Sequence, residues 1–207
     1  MDVAPPACEV RTDAMPLGNL RGSAVSGGLQ YFAERYGRAA IHDIYARQPA
    51  DARVWMSPHA PMLGLLPTRL YPYPNIGRLL RTMAQVVHAT DEDAFLATLA
   101  HAGVNATMTT VNRIALRWLV SPSSYASRAQ EIWNLYHDSG RLTVLPSAPN
   151  ELVVQIDDWP NHDLTVCKVC VEGRRRILEL IGVRPIEARR SKCRGWGDAT
   201  CVQYLRW

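Results

Sequence analysis

The run of apolar residues predicts an α+β domain, helix-rich in its N-terminal part and ending in a β-β-α-β-β unit. Three observations predict it. Apolar stripes recur at helical spacing between Gly28 and Tyr136. Beyond Gly140 they give way to two short strand-like runs, 142–145 and 151–157, before one more helical stripe. Two last strand-like runs then flank Gly195-Trp196-Gly197-Asp198, a strong turn signal. The chain has 207 residues, which suits one domain, with 47% apolar and 20% charged residues. A domain of this size buries roughly 70% of its unfolded surface and needs no disulfide to fold.

Residues 1–16 are polar and contain prolines, and they predict a loose arm ahead of a single domain over 17–207. A helix begins near Gly28, with Leu29, Phe32, Ala33, Tyr36, Ala40 and Ile44 on one face. From Gln48 to Pro74 six prolines forbid a long helix, yet Trp55, Met56, Leu63, Leu65 and Tyr71 are too apolar for a flexible linker. This stretch predicts an ordered loop packed on the domain, in a place to cover a cavity. Four helices follow. The first spans 75–88, with Ile76, Leu79, Leu80, Met83 and Val87 inward. Thr90 caps the second, Asp91, Glu92 and Asp93 suit its dipole, and Gly103 ends it. The third, 105–120, carries Met108, Val111, Ala115, Trp118 and Leu119. The fourth starts after Ser121-Pro122, carries Ile132, Trp133, Leu135 and Tyr136, and stops at Gly140. After the two strands a last helix spans 163–181, with Cys167, Cys170, Val171, Leu178 and Ile181 on one side. Arg174 interrupts that stripe, and Gly182 stops the helix. Strands over 185–193 and 200–206 complete the chain.

Composition excludes several classes. The net charge of +4 is mild. The basic run Arg174–Arg176 and the later group Arg189, Arg190, Lys192 and Arg194 lie on no recognised DNA-binding element, so they read as solvated faces and no nucleic-acid partner is expected. No apolar run approaches the roughly 18–20 residues of a membrane span. The opening residues lack the basic and apolar regions of a secretory signal, which predicts a cytoplasmic protein. Five cysteines in such a reducing compartment point to metal, reactivity or packing rather than disulfides. No G-x-S-x-G elbow, phosphate loop or G-x-G-x-x-G is present, so no enzyme is expected. His42-Asp43, Asp157-Asp158 and His162-Asp163 read as turn or helix-end polar groups.

The C-terminal cysteines are the most specific feature. Cys193 and Cys201 are eight residues apart across the turn, and Cys167 lies 26 residues before Cys193 on the last helix, with Cys170 one turn on. A helix packed on the terminal hairpin can bring three or four thiols together, a natural zinc cage. The alternative is that they are buried hydrophobes, as free cysteines often are, with no cofactor at all.

Val166-Cys167, Gly173 and the run from Cys193 to Cys201 resemble the C-terminal half of the 4-vinyl reductase domain, found in the sensory regions of phenol- and xylene-responsive activators. The part concerned is 141–207. The whole chain is similar to a family of uncharacterised proteins of about 200 residues expanded in myxobacteria, which brings no activity with it. The first resemblance implies a fold related to trafficking-complex subunits, a homodimer, and a pocket for a small apolar molecule supported by zinc. Its three cysteine positions fall on Cys167, Cys193 and Cys201. Its glutamate position holds Arg190, which offers zinc no lone pair, so Cys170 or Glu187 would have to complete the cage.

The function expected is therefore a non-catalytic sensor for a small apolar ligand, signalling through a partner protein. Met108, Trp118, Trp133 and Tyr136 are the expected pocket lining. A protein–protein scaffold with a filled core is the rival. A haem-based gas sensor stands lower: Tyr125-Ala126-Ser127-Arg128 resembles the Tyr-x-Ser-x-Arg signature of haem nitric-oxide sensors, with His101 before it, but the arginine comes one residue early. One residue on a helix turns a side chain by about 100°.

Overall fold

A computed structural model describes residues 18–107 and 121–207. The arm over 1–16, and with it most of the expected third helix, including Met108 and Trp118, lies outside the described residues.

The order of elements follows the expected α+β plan. Strand β1 (Asn19–Arg21) precedes the long helix α1 (Ser23–Arg47). Its helical geometry is interrupted at Gly37, where φ is +79°. The buried side of α1 is Val25, Leu29, Phe32, Ile41 and Ile44, while Tyr36 is turned outward. Gly27 and Gly28 let α1 touch α4 (Glu92–Thr107): a Cβ on Gly27 would lie 2.5 Å from that of Ala106. Gly103 therefore does not end α4 as expected. It sits inside the helix, where its bare Cα approaches the Ala24 carbonyl.

The proline-rich stretch is ordered, as expected, and packs on the domain. It contains α2 (Ala50–Arg53), a 3-10 turn (Pro61–Gly64) and β2 (Leu70–Pro72), which pairs antiparallel with β1. Met56, Leu63, Leu65 and Tyr71 are buried. Helix α3 (Tyr73–Val86) buries Ile76, Leu79, Leu80 and Met83. At the start of α4 it is Asp91, not Thr90, that takes the capping bond, accepting from the Ala94 N–H at 2.9 Å. Beyond residue 120 the expected single helix is two short ones, α5 (Pro122–Ser127) and α6 (Ala129–Asn134), broken at Arg128 (φ −113°, ψ 8°).

The second part is the β-β-α-β-β unit. Strands β3 (Arg141–Leu145) and β4 (Glu151–Asp157) form a hairpin, and β4 shows strict alternation, with Leu152, Val154 and Ile156 buried. Helix α7 (Leu164–Leu180) is capped by Asp163, whose carboxylate accepts from the N–H groups of Thr165 and Val166. Strands β5 (Glu187–Lys192) and β6 (Cys201–Arg206) finish an antiparallel sheet in the order β3-β4-β6-β5. A 3-10 turn (Arg194–Trp196) and Gly197, at φ +97°, join them. One core runs from α1 and α3 through α7 to the sheet. Among the described residues no helix is long and apolar enough to cross a membrane.

Candidate functional site: a cavity beside α7, and a thiol cluster

Two groups of residues carry chemistry, and α7 contributes to both. The first is a cavity of about 120 Å³ between α1, α4, α6 and α7. Its walls are mostly apolar, among them Leu80, Val104, Ile132, Val166, Val169 and Ile177. Of the four residues expected to line a pocket, Trp133 and Tyr136 are on this wall; Met108 and Trp118 lie outside the described residues. None of the proline-rich stretch appears among its lining residues.

The polar groups on the wall are few and converge. His137 is buried, with its ring stacked on Trp133 at 3.4 Å between centroids and 1° between planes. Its Nδ1 is hydrogen-bonded to Tyr73 Oη at 2.8 Å, and its Nε2 faces Cys170 Sγ at 3.9 Å. The Trp159 ring closes this cage edge-on against Tyr73 and Trp133. Backbone pairing of Leu20 with His137, and the bond from Arg21 N–H to Tyr136 O, fix the segment to β1. Burial, and then the nearby Arg174 guanidinium, hold the His137 imidazole well below its ordinary pKa. Burial also pushes the Cys170 thiol up to about 12, and raises the Tyr73 phenol. All three are therefore neutral near pH 7.

Arg174 is the exception. It is buried at 5% exposure and lines the cavity. Its Nε donates to Tyr125 Oη at 3.1 Å, while its Nη1 is buried with no hydrogen-bond partner among the described residues. The solvated-face reading of Arg174–Arg176 thus fails at its first member. Arg175 and Arg176 do reach Glu179, at 3.4 and 2.8 Å. The signal for Arg174 was present in the sequence, as the arginine that interrupts the apolar stripe of the last helix. His137 left no comparable mark.

The second group is the thiol cluster. Cys167, Cys193 and Cys201 are fully buried, with Cys193 Sγ at 3.8 Å from Cys167 Sγ and 4.0 Å from Cys201 Sγ. The structure does not bring Cys170 to them; it stands on the cavity wall instead. Their fourth neighbour is His162, with Nε2 at 3.5 Å from Cys193 Sγ, so this histidine is more than the turn residue expected. The four donor atoms lie within 4.8 Å of one another. Hydrogen bonds from Cys167 and Cys201 hold Cys193 well below the ordinary thiol range, and they raise Cys167 in turn. Burial lowers His162, but its bonds to Cys193 and Cys201 outweigh that and bring it up to about 9. Arg190 is turned away: it donates to Leu164 O at 3.1 Å and stacks on Trp196. Glu187 pairs with Arg189 and Arg206, not with the cluster.

No family model matches the chain, and no curated protein matches it. Solved structures do. The unliganded Fe(II) H-NOX protein of K. algicida is 11% identical, with a TM-score of 0.61 over 90% of this chain and 95% of that one. An H-NOX protein of S. oneidensis in the Fe(II)NO state is 9% identical, with a TM-score of 0.63 over 90% and 98%. A third, described as modulating haem redox potential through porphyrin distortion, is 9% identical, with a TM-score of 0.57 over 90% and 98%.

These findings correct two expectations. The resemblance to the 4-vinyl reductase domain and to the myxobacterial family is overturned: no family model supports either, and the structural neighbours are H-NOX proteins. The finer trafficking-subunit comparison rested on that resemblance alone. The expectation of zinc, or of no cofactor, is overturned by neighbours that carry iron and haem. At these identities the likeness speaks to architecture: the chain has the fold of the H-NOX proteins.

Proposed function

We propose that this chain is a non-catalytic sensor domain that holds a small molecule in the cavity beside α7. The observation that carries the reading is the cavity itself, mostly apolar and set with a few converging polar groups. Its volume of about 120 Å³ compares with the roughly 150 Å³ of an engineered apolar cavity that takes up benzene. A filled core, as the scaffold reading requires, would leave no such space. The domain acts in the cytoplasm as a homodimer and passes its state to a partner protein; no step of bond chemistry is assigned to it. Native mass spectrometry of freshly purified protein tests this. A co-purifying small molecule is expected. A clean protein mass, with no thermal stabilisation by any single-ring compound, would overturn it. Sedimentation giving only the monomer at high micromolar concentration would remove the dimer.

Haem-based gas sensing is the second reading, favoured by the likeness of fold to the H-NOX proteins. The residues here do not fit that group as they are arranged. His101 is on α4 and faces Glu172 at 3.6 Å rather than lining the cavity. In the Tyr125–Arg128 segment only Tyr125 reaches the wall; Ser127 bonds back to Ser124 O, and Arg128 is exposed. The one imidazole on the described wall, His137, is already engaged at Nδ1. A Soret band in the freshly purified protein would decide for haem.

A further inference from the structure

Arg174 poses a problem that the apolar cavity does not answer. A guanidinium keeps its charge in a protein, so this side chain brings a full positive charge to a wall whose other described residues are neutral groups. Among the described residues no carboxylate pairs with it. The acids nearest in sequence face elsewhere: Glu172 meets His101 at 3.6 Å and Arg175 at 4.0 Å, and Glu179 meets Arg175 and Arg176. The single hydrogen bond from Nε to Tyr125 Oη leaves Nη1 buried with no acceptor. An unpaired buried charge is strongly unfavourable, and proteins that keep one pair it with an anion. A guanidinium fork is matched in shape to a carboxylate.

The neighbours of Arg174 sharpen the requirement. His137, Cys170 and Tyr73 are held neutral, so none supplies the missing negative charge. The rest of the described wall is suited to a hydrocarbon ring, with Trp133, Ile132, Val166 and Ile177 among its lining residues. We infer that the cavity takes a single-ring carboxylic acid, its ring among these apolar side chains and its carboxylate on Arg174. This rests on the ligand-holding reading above and names the class of ligand. Tyr125 is the positioning residue: its hydroxyl accepts from Nε and so orients the fork.

The test uses the whole chain and three probes. Benzoate should bind by calorimetry and raise the melting temperature, and benzyl alcohol, its neutral counterpart, should bind at least about 10-fold more weakly. Arg174→Met should weaken benzoate by roughly 30-fold or more and leave benzyl alcohol nearly unchanged, since truncating one partner of a buried charge pair removes that much affinity. Tyr125→Phe should weaken benzoate less than Arg174→Met does. Benzyl alcohol binding as tightly as benzoate would overturn the carboxylate and spare the cavity. Failure of both probes would overturn the cavity reading with it. Hemin is the third probe, because its propionates present the same group on a far larger body. Uptake of hemin that benzoate displaces and Arg174→Met weakens would assign the carboxylate to a porphyrin and overturn the single-ring class. Because Arg174→Met removes an unpaired charge, it should fold without ligand; its unliganded melting temperature, measured alongside, shows that it has.

Discussion

His137 should make this protein lose stability in mild acid, and the loss can be worked from its surroundings. The ring lies on Trp133, bonds Tyr73 Oη and faces Cys170 Sγ, and Arg174 is close by. The adjacent Asp138 carboxylate is engaged by the backbone and side chain of Asn19. Among the described residues no carboxylate contacts the ring to favour an imidazolium, and burial followed by Arg174 holds the folded-state pKa well below 6.5. The sign follows: the unfolded chain takes up a proton as pH falls through 6.5, while the folded chain does not. Stability is complete above that value and falls by about 1.4 kcal/mol per pH unit below it, until the folded pKa is reached. Between pH 7.5 and pH 5.0 the loss can reach at most about 2 kcal/mol, the full linkage limit, against the roughly 5–15 kcal/mol that holds a domain together. Urea unfolding of wild type and His137→Gln at both pH values measures it. Every other titrating group is common to both proteins, so the variant should lose less stability than wild type on acidification, by up to about 2 kcal/mol. Equal losses, within about 0.5 kcal/mol, would refute the buried neutral imidazole.

Three further outcomes follow from the same contacts. Gly27→Val should destabilise by about 1–3 kcal/mol in thermal melts, because even its Cβ would press on Ala106 at the α1–α4 crossing. Asp163→Ala removes the α7 cap and the 3.0 Å pair with Arg81, half of it solvent-facing, and should cost about 1–2 kcal/mol by urea unfolding. The thiols of Cys167, Cys193 and Cys201 should resist iodoacetamide until denaturant is added, as read by peptide mass mapping, because all three are fully buried. Rapid alkylation of Cys193 in native protein would mean that the cluster is open to water.

How much of this was legible in the sequence depended on whether a signal was local. Strand β4 announced itself by alternation, and Gly182 and Gly197 marked stops that the backbone uses at φ +94° and +97°. Gly28, read as a helix start, and Gly103, read as a helix end, misled, because a glycine that bounds a helix and one that packs against another helix look alike until the partner helix is known. No glycine or proline marks the break at Arg128, so two short helices read as one. Cys167, Cys193 and Cys201 could be placed together because a helix and a hairpin have known reach. Cys170 could not be separated from them by spacing alone, and His162 entered from the loop ahead of α7, where sequence distance says nothing about direction.

The most informative residue was the one that broke the pattern. An arginine in the apolar stripe of a buried helix is a local rule violated, and natural proteins concentrate such violations at functional sites. Arg175 and Arg176 follow the rule, reaching carboxylates one helical turn away. Arg174 does not, and among the described residues its one hydrogen bond goes to the Tyr125 phenol of α5. Were the arginine present for stability, an acid would stand opposite it on α4, α5 or α6; the residues these helices contribute to the cavity wall are instead Ala100, Gly103, Val104, Thr107, Tyr125, Ala129, Ile132 and Trp133. A buried charge with no acid beside it among the described residues of that wall is best matched by an incoming carboxylate.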